Sequence, residues 1–146
     1  MYFVDRSKIQ QTLTHINELL TEIKGKQINT LFEKLGFERS VHVIIEAILD
    51  VGNMMIDGFI MRDPGSYHDI IDIMIDEKVL PAEEEMPYKN VINLREMLVQ
   101  NYLEIDHEQL EDTLKENIEV LQKFSAHIEA YLNNELGVAN AFSNED

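Results

Sequence analysis

Two clusters of polar side chains stand out in a chain otherwise patterned for packing. The first is His42, Glu46, Asp50, Asn53 and Asp57, at steps of 4, 4, 3 and 4. That spacing puts all five on one face of a helix. Such a stripe either meets solvent, as one side of most helices does, or lines a groove. In a groove, a carboxylate such as Asp50 would take an arginine from another helix as a bidentate partner. The second cluster is Asn93-Leu94-Arg95-Glu96-Met97-Leu98-Val99-Gln100-Asn101-Tyr102. Arg95 and Tyr102 are seven residues apart, so a regular helix puts them on nearly the same face, two turns from one another. Gln100 then sits about 140° round from Arg95. An arginine here can bind and neutralise a phosphate. The same residues also suit a structural ion pair with a tyrosine packed at the helix end.

Other chemistries lack the residues they need. The chain has no Gly-rich phosphate loop, no Gly-x-Ser-x-Gly elbow and no His-Glu-x-x-His zinc motif. The paired Glu-x-x-His motifs of di-metal bundles are missing too, so neither a metal nor another cofactor is expected. With no cysteine, disulfides, zinc thiolates and thiol nucleophiles are excluded. His15, His68, His107 and His127 are scattered and read as ordinary surface or boundary residues.

The elements that must position these clusters are helical throughout. Ile9, Leu13, Ile16, Leu20 and Ile23 form one apolar stripe, with Asp5 as its cap and Gly25 as its end. Asn29 is placed to cap a short helix ending at Gly36. A second long helix is expected from about Glu38 to Ile60, apolar round much of its circumference. It stops at Arg62-Asp63-Pro64-Gly65, a turn signal. Ser66-Tyr67-His68-Asp69 resembles a capping box for the next helix, through Val79. After Leu80-Pro81 the pattern predicts a turn and a helix to about Leu103, kinked or restarted at Pro87. Asp106, with Gln109 three residues on, caps a last long helix ending at Gly137. The expected architecture is all-α, an antiparallel bundle of four to five helices that dimerises. It has one domain over 1–137 and a flexible acidic tail over 138–146.

The chain of 146 residues carries 12 basic and 28 acidic side chains, a formal charge of −16. That argues against general nucleic-acid or anionic-membrane binding. The excess is uneven. Residues 1–40 hold six basic and five acidic groups, residues 41–102 four and twelve, and residues 103–146 two and eleven. Only the first helix and its flank approach a phosphate without like-charge repulsion, so Arg6, Lys8 and Arg39 are the residues that would assist Arg95. Apolar runs are far shorter than the ~20 residues of a membrane span. The opening Met1-Tyr2-Phe3-Val4-Asp5-Arg6 has no signal-peptide pattern.

Three stretches resemble a known family. They are Met1-Tyr2-Phe3-Val4-Asp5-Arg6, the run Met55-Ile56-Asp57-Gly58-Phe59-Ile60-Met61-Arg62-Asp63-Pro64-Gly65-Ser66-Tyr67, and Arg95-x-x-Leu98-Val99-Gln100-x-Tyr102. Together they resemble the HepT-like proteins of the HEPN superfamily, in particular the YutE-type branch of bacterial cytosolic proteins. The resemblance covers about residues 1–137. It implies an α-helical homodimer in which two copies of a motif face a shared groove. The motif is Arg, four to six residues, His, any residue, Tyr. It further implies a cytoplasmic, metal-independent ribonuclease toxin acting on RNA. Its implied partner is an MntA-type minimal nucleotidyltransferase antitoxin, which adds AMP to the motif tyrosine.

Residue by residue, Arg95 matches the motif arginine, Tyr102 matches the tyrosine, and Gln100 stands where the family has histidine. The implied catalytic set is Arg95, Gln100 and Tyr102, with Tyr102 the AMP acceptor and Glu46, Asp50 and Asn53 lining the groove. The departure at Gln100 has a chemical consequence. Histidine exchanges protons near neutral pH, whereas glutamine only donates and accepts hydrogen bonds. The alternative is therefore a non-catalytic dimeric module that binds a nucleotide, an RNA end or a nucleotidyltransferase.

Overall fold

The computed structural model describes residues 4–144, with side chains described as far as residue 136. The helices are α1 (Arg6–Ile23), α2 (Leu31–Gly58), α3 (Tyr67–Asp76), α4 (Glu85–Ile92), α5 (Leu94–Val99), α6 (His107–Leu121) and α7 (Phe124–Asn144), with a 3₁₀ turn at Ala82–Glu84. No strand occurs among the described residues. The junction residues Asn93 (φ −59°, ψ −23°) and Gln122 (φ −66°, ψ −19°) keep helical dihedrals. The segments therefore read as five rods: α1, α2, α3, α4 with α5, and α6 with α7.

The first rod follows its sequence pattern. Asp5 accepts from the Lys8 amide, and Ile9, Leu13, Ile16 and Leu20 are buried. The helix ends one residue before Lys24, and Gly25 follows at φ +72°, where a glycine is at ease.

The second rod differs from expectation. Thr30, not Asn29, is its cap, and it makes a reciprocal capping box with Glu33. Backbone amides of Thr30 and Asn29 hold the Glu33 carboxyl below the usual carboxylate range. The helix does not stop at Gly36 but runs unbroken for 28 residues. An interior glycine costs about 1 kcal/mol. Burying Phe37, Val41 and Ile44 one turn further on returns about 1.5–3 kcal/mol each, so packing overrides the local stop signal. The apolar midsection of α2 packs on α1, α3 and α5 of the same chain. Its apolar circumference is thus covered within the protomer. The large apolar residues that α2 leaves exposed are Leu31, Phe32 and Leu35, at its start.

The turn into α3 is tightly tied. Ser66 accepts from the Asp69 amide as expected. The Asp69 carboxylate does not reach back to close the box. It takes Arg62 at 2.7 and 2.8 Å and the Gly65 amide at 2.8 Å. Further along, α3 lies close against α2 at Gly52, where a Cβ would meet Ile70 Cγ2 at 2.5 Å.

The later rods break at places other than those expected. Pro87 lies inside the first turn of α4, where its missing N–H has no helical partner to lose. The interruption falls instead at Asn93. The last helix, expected to be continuous from Asp106, is interrupted at Gln122-Lys123, which turns Phe124 into the core against Tyr88, ring centroids 5.8 Å apart. Helix α7 continues through Gly137, so that glycine does not end it. A flexible acidic tail was expected over 138–146, whose side chains lie outside the described residues.

Candidate functional site

Arg95 is the second residue of α5 and draws three elements together. Its Nε donates to Glu46 Oε1 of α2 at 2.5 Å. Its guanidinium carbon lies 4.6 Å from the centroid of the Tyr67 ring at the start of α3, a cation–π distance. The hydrogen bond to Glu46 raises the arginine pKa further, so the charge is permanent. Among the described residues its terminal amino groups carry no hydrogen bond, and 24% of the side chain stays exposed. Glu46 and Tyr67 thus hold one side of the guanidinium and leave the fork open to an anion.

The partner carboxylate is Glu46 and not Asp50. Glu46 also faces His42 Nε2 at 3.6 Å. Asp50, Asn53 and Asp57 are exposed. The polar stripe of α2 is therefore divided. Glu46 belongs to the Arg95 cluster, while Asp50 joins Glu46 in a separate groove of about 410 Å³ with Lys8, His15 and Arg39. Asn53 lines neither.

Arg95 opens onto a cleft of about 400 Å³, shared with Ser66, Tyr67, His68, Asn93 and Gln100. The structure brings Arg95 and Gln100 together but not Arg95 and Tyr102. Helix α5 ends at Val99, and the Gln100 and Asn101 amides both close on the Glu96 carbonyl, at 2.9 and 3.3 Å. Residues 100–105 then reverse the chain into α6, and the Asp106 amide donates to Met97 Sδ at 3.3 Å. Tyr102 sits in this reversal, 66% exposed, beside Leu103. It lines a neighbouring cleft of about 600 Å³. Gln100 lines both clefts and, among the described residues, links them. The two-turn relation expected of Arg95 and Tyr102 fails because the helix stops three residues short of the tyrosine.

One residue of the cleft was passed over in the sequence. His68, in the first turn of α3, lines it, with Nε2 2.7 Å from Asn93 Oδ1. The contact spans 25 positions, so no local spacing signals it. The other histidines behave as ordinary boundary or surface residues. His107 meets Glu38 at 2.7 Å, His127 meets Glu84 at 3.0 Å, and His15 lies near Glu18 on the surface. Among the described residues no group of three or more His, Asp or Glu side chains is placed to hold a metal ion, and no helix is long and apolar enough to cross a membrane.

A family model described as "Ribonuclease HepT-like" matches residues 9–128. The chain belongs to the HepT-like family. It is 46% identical over 143 residues to "Putative RNase YutE" of Bacillus subtilis (strain 168), covering 97% of this chain and 99% of that protein. The solved structure of the cytosolic protein YutE from Bacillus subtilis superposes with a TM-score of 0.91 at 46% identity, over 94% of this chain and 96% of that one. Two more distant structures share the HepT-like fold. A toxin–antitoxin solved with AMP-PNP matches with a TM-score of 0.71 at 15% identity, over 82% of this chain and 96% of that one. A tri-AMPylated Shewanella oneidensis HEPN toxin in complex with MNT antitoxin matches with a TM-score of 0.66 at 17% identity, over 85% and 92%. At those identities the likeness concerns the fold alone.

Proposed function

We propose that this HepT-like protein is a metal-independent endoribonuclease that grips the scissile phosphate with Arg95. The observation that carries the reading is the open fork of Arg95. Its Nε is engaged by Glu46 and its face by Tyr67, and its terminal amino groups are left to an anion. A guanidinium fixed in advance stabilises the negative charge that builds on the non-bridging phosphate oxygens during attack by the adjacent 2′-hydroxyl. Gln100, at the wall between the two clefts, positions the strand by hydrogen bonds.

The same reading makes the protein a homodimer whose two Arg95 clefts share a groove, and a cytoplasmic toxin. The exposed apolar residues Tyr102 and Leu103 beside the cleft, and Leu31, Phe32 and Leu35 on α2, support a protein-covered surface. Tyr102 is the proposed AMP acceptor for an MntA-type nucleotidyltransferase partner, and the exposure of the residue supports that role. AMP placed there would fill the cleft next to Gln100. Light scattering should give twice the 17.0 kDa chain mass.

The test is incubation of the purified protein with total RNA and tRNA in the presence of EDTA. Wild type should fragment RNA and Arg95→Ala should not. Intact RNA in both, or equal fragmentation by both, contradicts the reading. Gln100 in the motif-histidine position favours a second reading, a non-catalytic module for a nucleotide, an RNA end or a nucleotidyltransferase. Under it, wild type is inert and only Gln100→His cleaves.

A further inference from the structure

We propose that His68 is the proton-transfer residue of the Arg95 cleft, supplying the imidazole that position 100 lacks. The proposal rests on the ribonuclease reading above and identifies the group that performs its acid–base step. Three observations meet at this side chain. His68 lines the same cleft as Arg95 and Gln100. Its neighbour Tyr67 is stacked on Arg95, so the first turn of α3 is registered against the phosphate-binding residue. Its Nε2 lies 2.7 Å from the carbonyl oxygen of Asn93, the residue at the α4–α5 junction.

That last contact sets the tautomer. An amide oxygen only accepts, so Nε2 carries the proton and Nδ1 keeps the lone pair. With Nε2 engaged as the donor, Nδ1 is the ring nitrogen left for a general base's acceptor role. The helix start that carries it is anchored twice, by the Ser66 cap and by the Arg62–Asp69 pair. The charged groups around it are accounted for. Arg95 and Glu96 of α5 share the cleft. Glu46 of α2 is occupied by Arg95, Lys89 of α4 by Asp72 at 2.6 Å, and Asp69 by Arg62.

The step balances without a metal. The 2′-hydroxyl proton passes to His68 Nδ1 as the 2′-oxygen forms its bond to phosphorus. The Arg95 fork faces the negatively charged non-bridging oxygens of the five-coordinate phosphorus. The bond from phosphorus to the 5′-oxygen breaks, and that oxygen takes a proton from water. The imidazolium then returns its proton to the hydroxide left behind. The products are a 2′,3′-cyclic phosphate and a 5′-hydroxyl.

The experiment compares wild type, His68→Asn, His68→Ala, Arg95→Ala and the surface control His15→Ala. Each cleaves a defined single-stranded RNA in EDTA, from about pH 5 to about pH 9. Thermal melts check folding. Both His68 variants should keep the melting temperature and lose about 10²–10⁴-fold in rate. The rise of rate with pH on the acidic side should vanish, and added imidazole should restore part of the His68→Ala rate. His15→Ala should match wild type. If the His68 variants cleave at the wild-type rate with its pH profile while Arg95→Ala is inactive, the His68 assignment is wrong and the ribonuclease reading stands. Wild type that does not cleave overturns both.

Discussion

Glu46 and Glu84 each face a histidine and a second basic side chain, Arg95 or Lys123, yet the two clusters have opposite characters. Glu84, 7% exposed, is answered on every side. His127 Nε2 lies at 3.0 Å, the Tyr88 hydroxyl at 3.3 Å and Lys123 Nζ at 4.0 Å. Burial, with the nearby Glu84 charge, pushes the Tyr88 hydroxyl pKa far up, so it remains a neutral donor. Its proton is shared between Glu84 and the Val120 carbonyl. The cluster joins the 3₁₀ turn and α4 to the α6–α7 junction. Glu46 is only partly buried and satisfies one nitrogen of Arg95, leaving the rest of the guanidinium open to a cleft. Similar residue types thus build a closed structural tie in one place and an open-sided ion pair in the other. What separates them is whether every polar atom already has a partner.

The comparison makes opposite predictions for the two clusters. The largest effect is expected at the open one. Arg95→Ala should lower RNA cleavage by about 10²–10³-fold, the usual cost of removing one transition-state donor. Because that ion pair is partly exposed, the unfolding free energy should change by only about 1 kcal/mol. The closed cluster should show the reverse. Glu84→Ala strands His127 and leaves the Tyr88 hydroxyl only the Val120 carbonyl, and should cost about 2 kcal/mol of stability. That is below the usual loss for a fully buried pair, because His127 is partly exposed. Denaturant melts should show this with an unchanged cleavage rate per folded molecule. A Glu84→Ala protein that stays stable but loses activity would reverse the assignment.

A smaller effect sharpens the link between packing and site. At Gly52 an added methyl meets the stiff, β-branched Ile70 at 2.5 Å, so α3 must shift. Gly52→Ala should cost about 1 kcal/mol net, overpacking set against better helix propensity. It should also slow cleavage less than Arg95→Ala does, because Tyr67 and His68 move with α3. Full activity with unchanged stability would show that α3 does not register the site.

The smallest effect lies in acid. Arg62 first, then the Gly65 amide, hold the Asp69 carboxyl at about 2, below its ordinary 3.8. A lowered carboxylate pKa stabilises the fold above the unfolded value and loses that contribution as pH falls through the folded one. The melting temperature should therefore decline between pH 3.8 and about 2, and Asp69→Asn should flatten that part of the curve. Parallel curves for the two proteins would argue against the tie.

Local patterns made the rods legible but not the way they meet. The apolar stripe of α1, the Ser66 and Asp106 caps and the all-helical class could be read directly, because each depends on neighbours within a turn. Gly36 misled because its local cost is outweighed by the burial of Phe37 and Val41. Tyr102 misled because helical spacing assumes a helix, and this one stops at Val99 so that the chain can reverse. Arg95 and Gln100 were visible as candidates. The choice of Glu46 over Asp50 depended on which turn of α2 meets α5. His68 was invisible, since its place in the cleft arises from the approach of α3 to the α4–α5 junction. Nothing within a turn of His68 encodes that approach.

The most direct test of the account is the initial rate of cleavage of a single-stranded RNA oligonucleotide and its all-2′-deoxy counterpart in EDTA, by wild type and Arg95→Ala. The account predicts that wild type cuts only the RNA and leaves 2′,3′-cyclic phosphate ends, and that Arg95→Ala is slower by about 10²–10³-fold. Cleavage of the deoxy strand, a requirement for metal, or equal rates for the two proteins would contradict it.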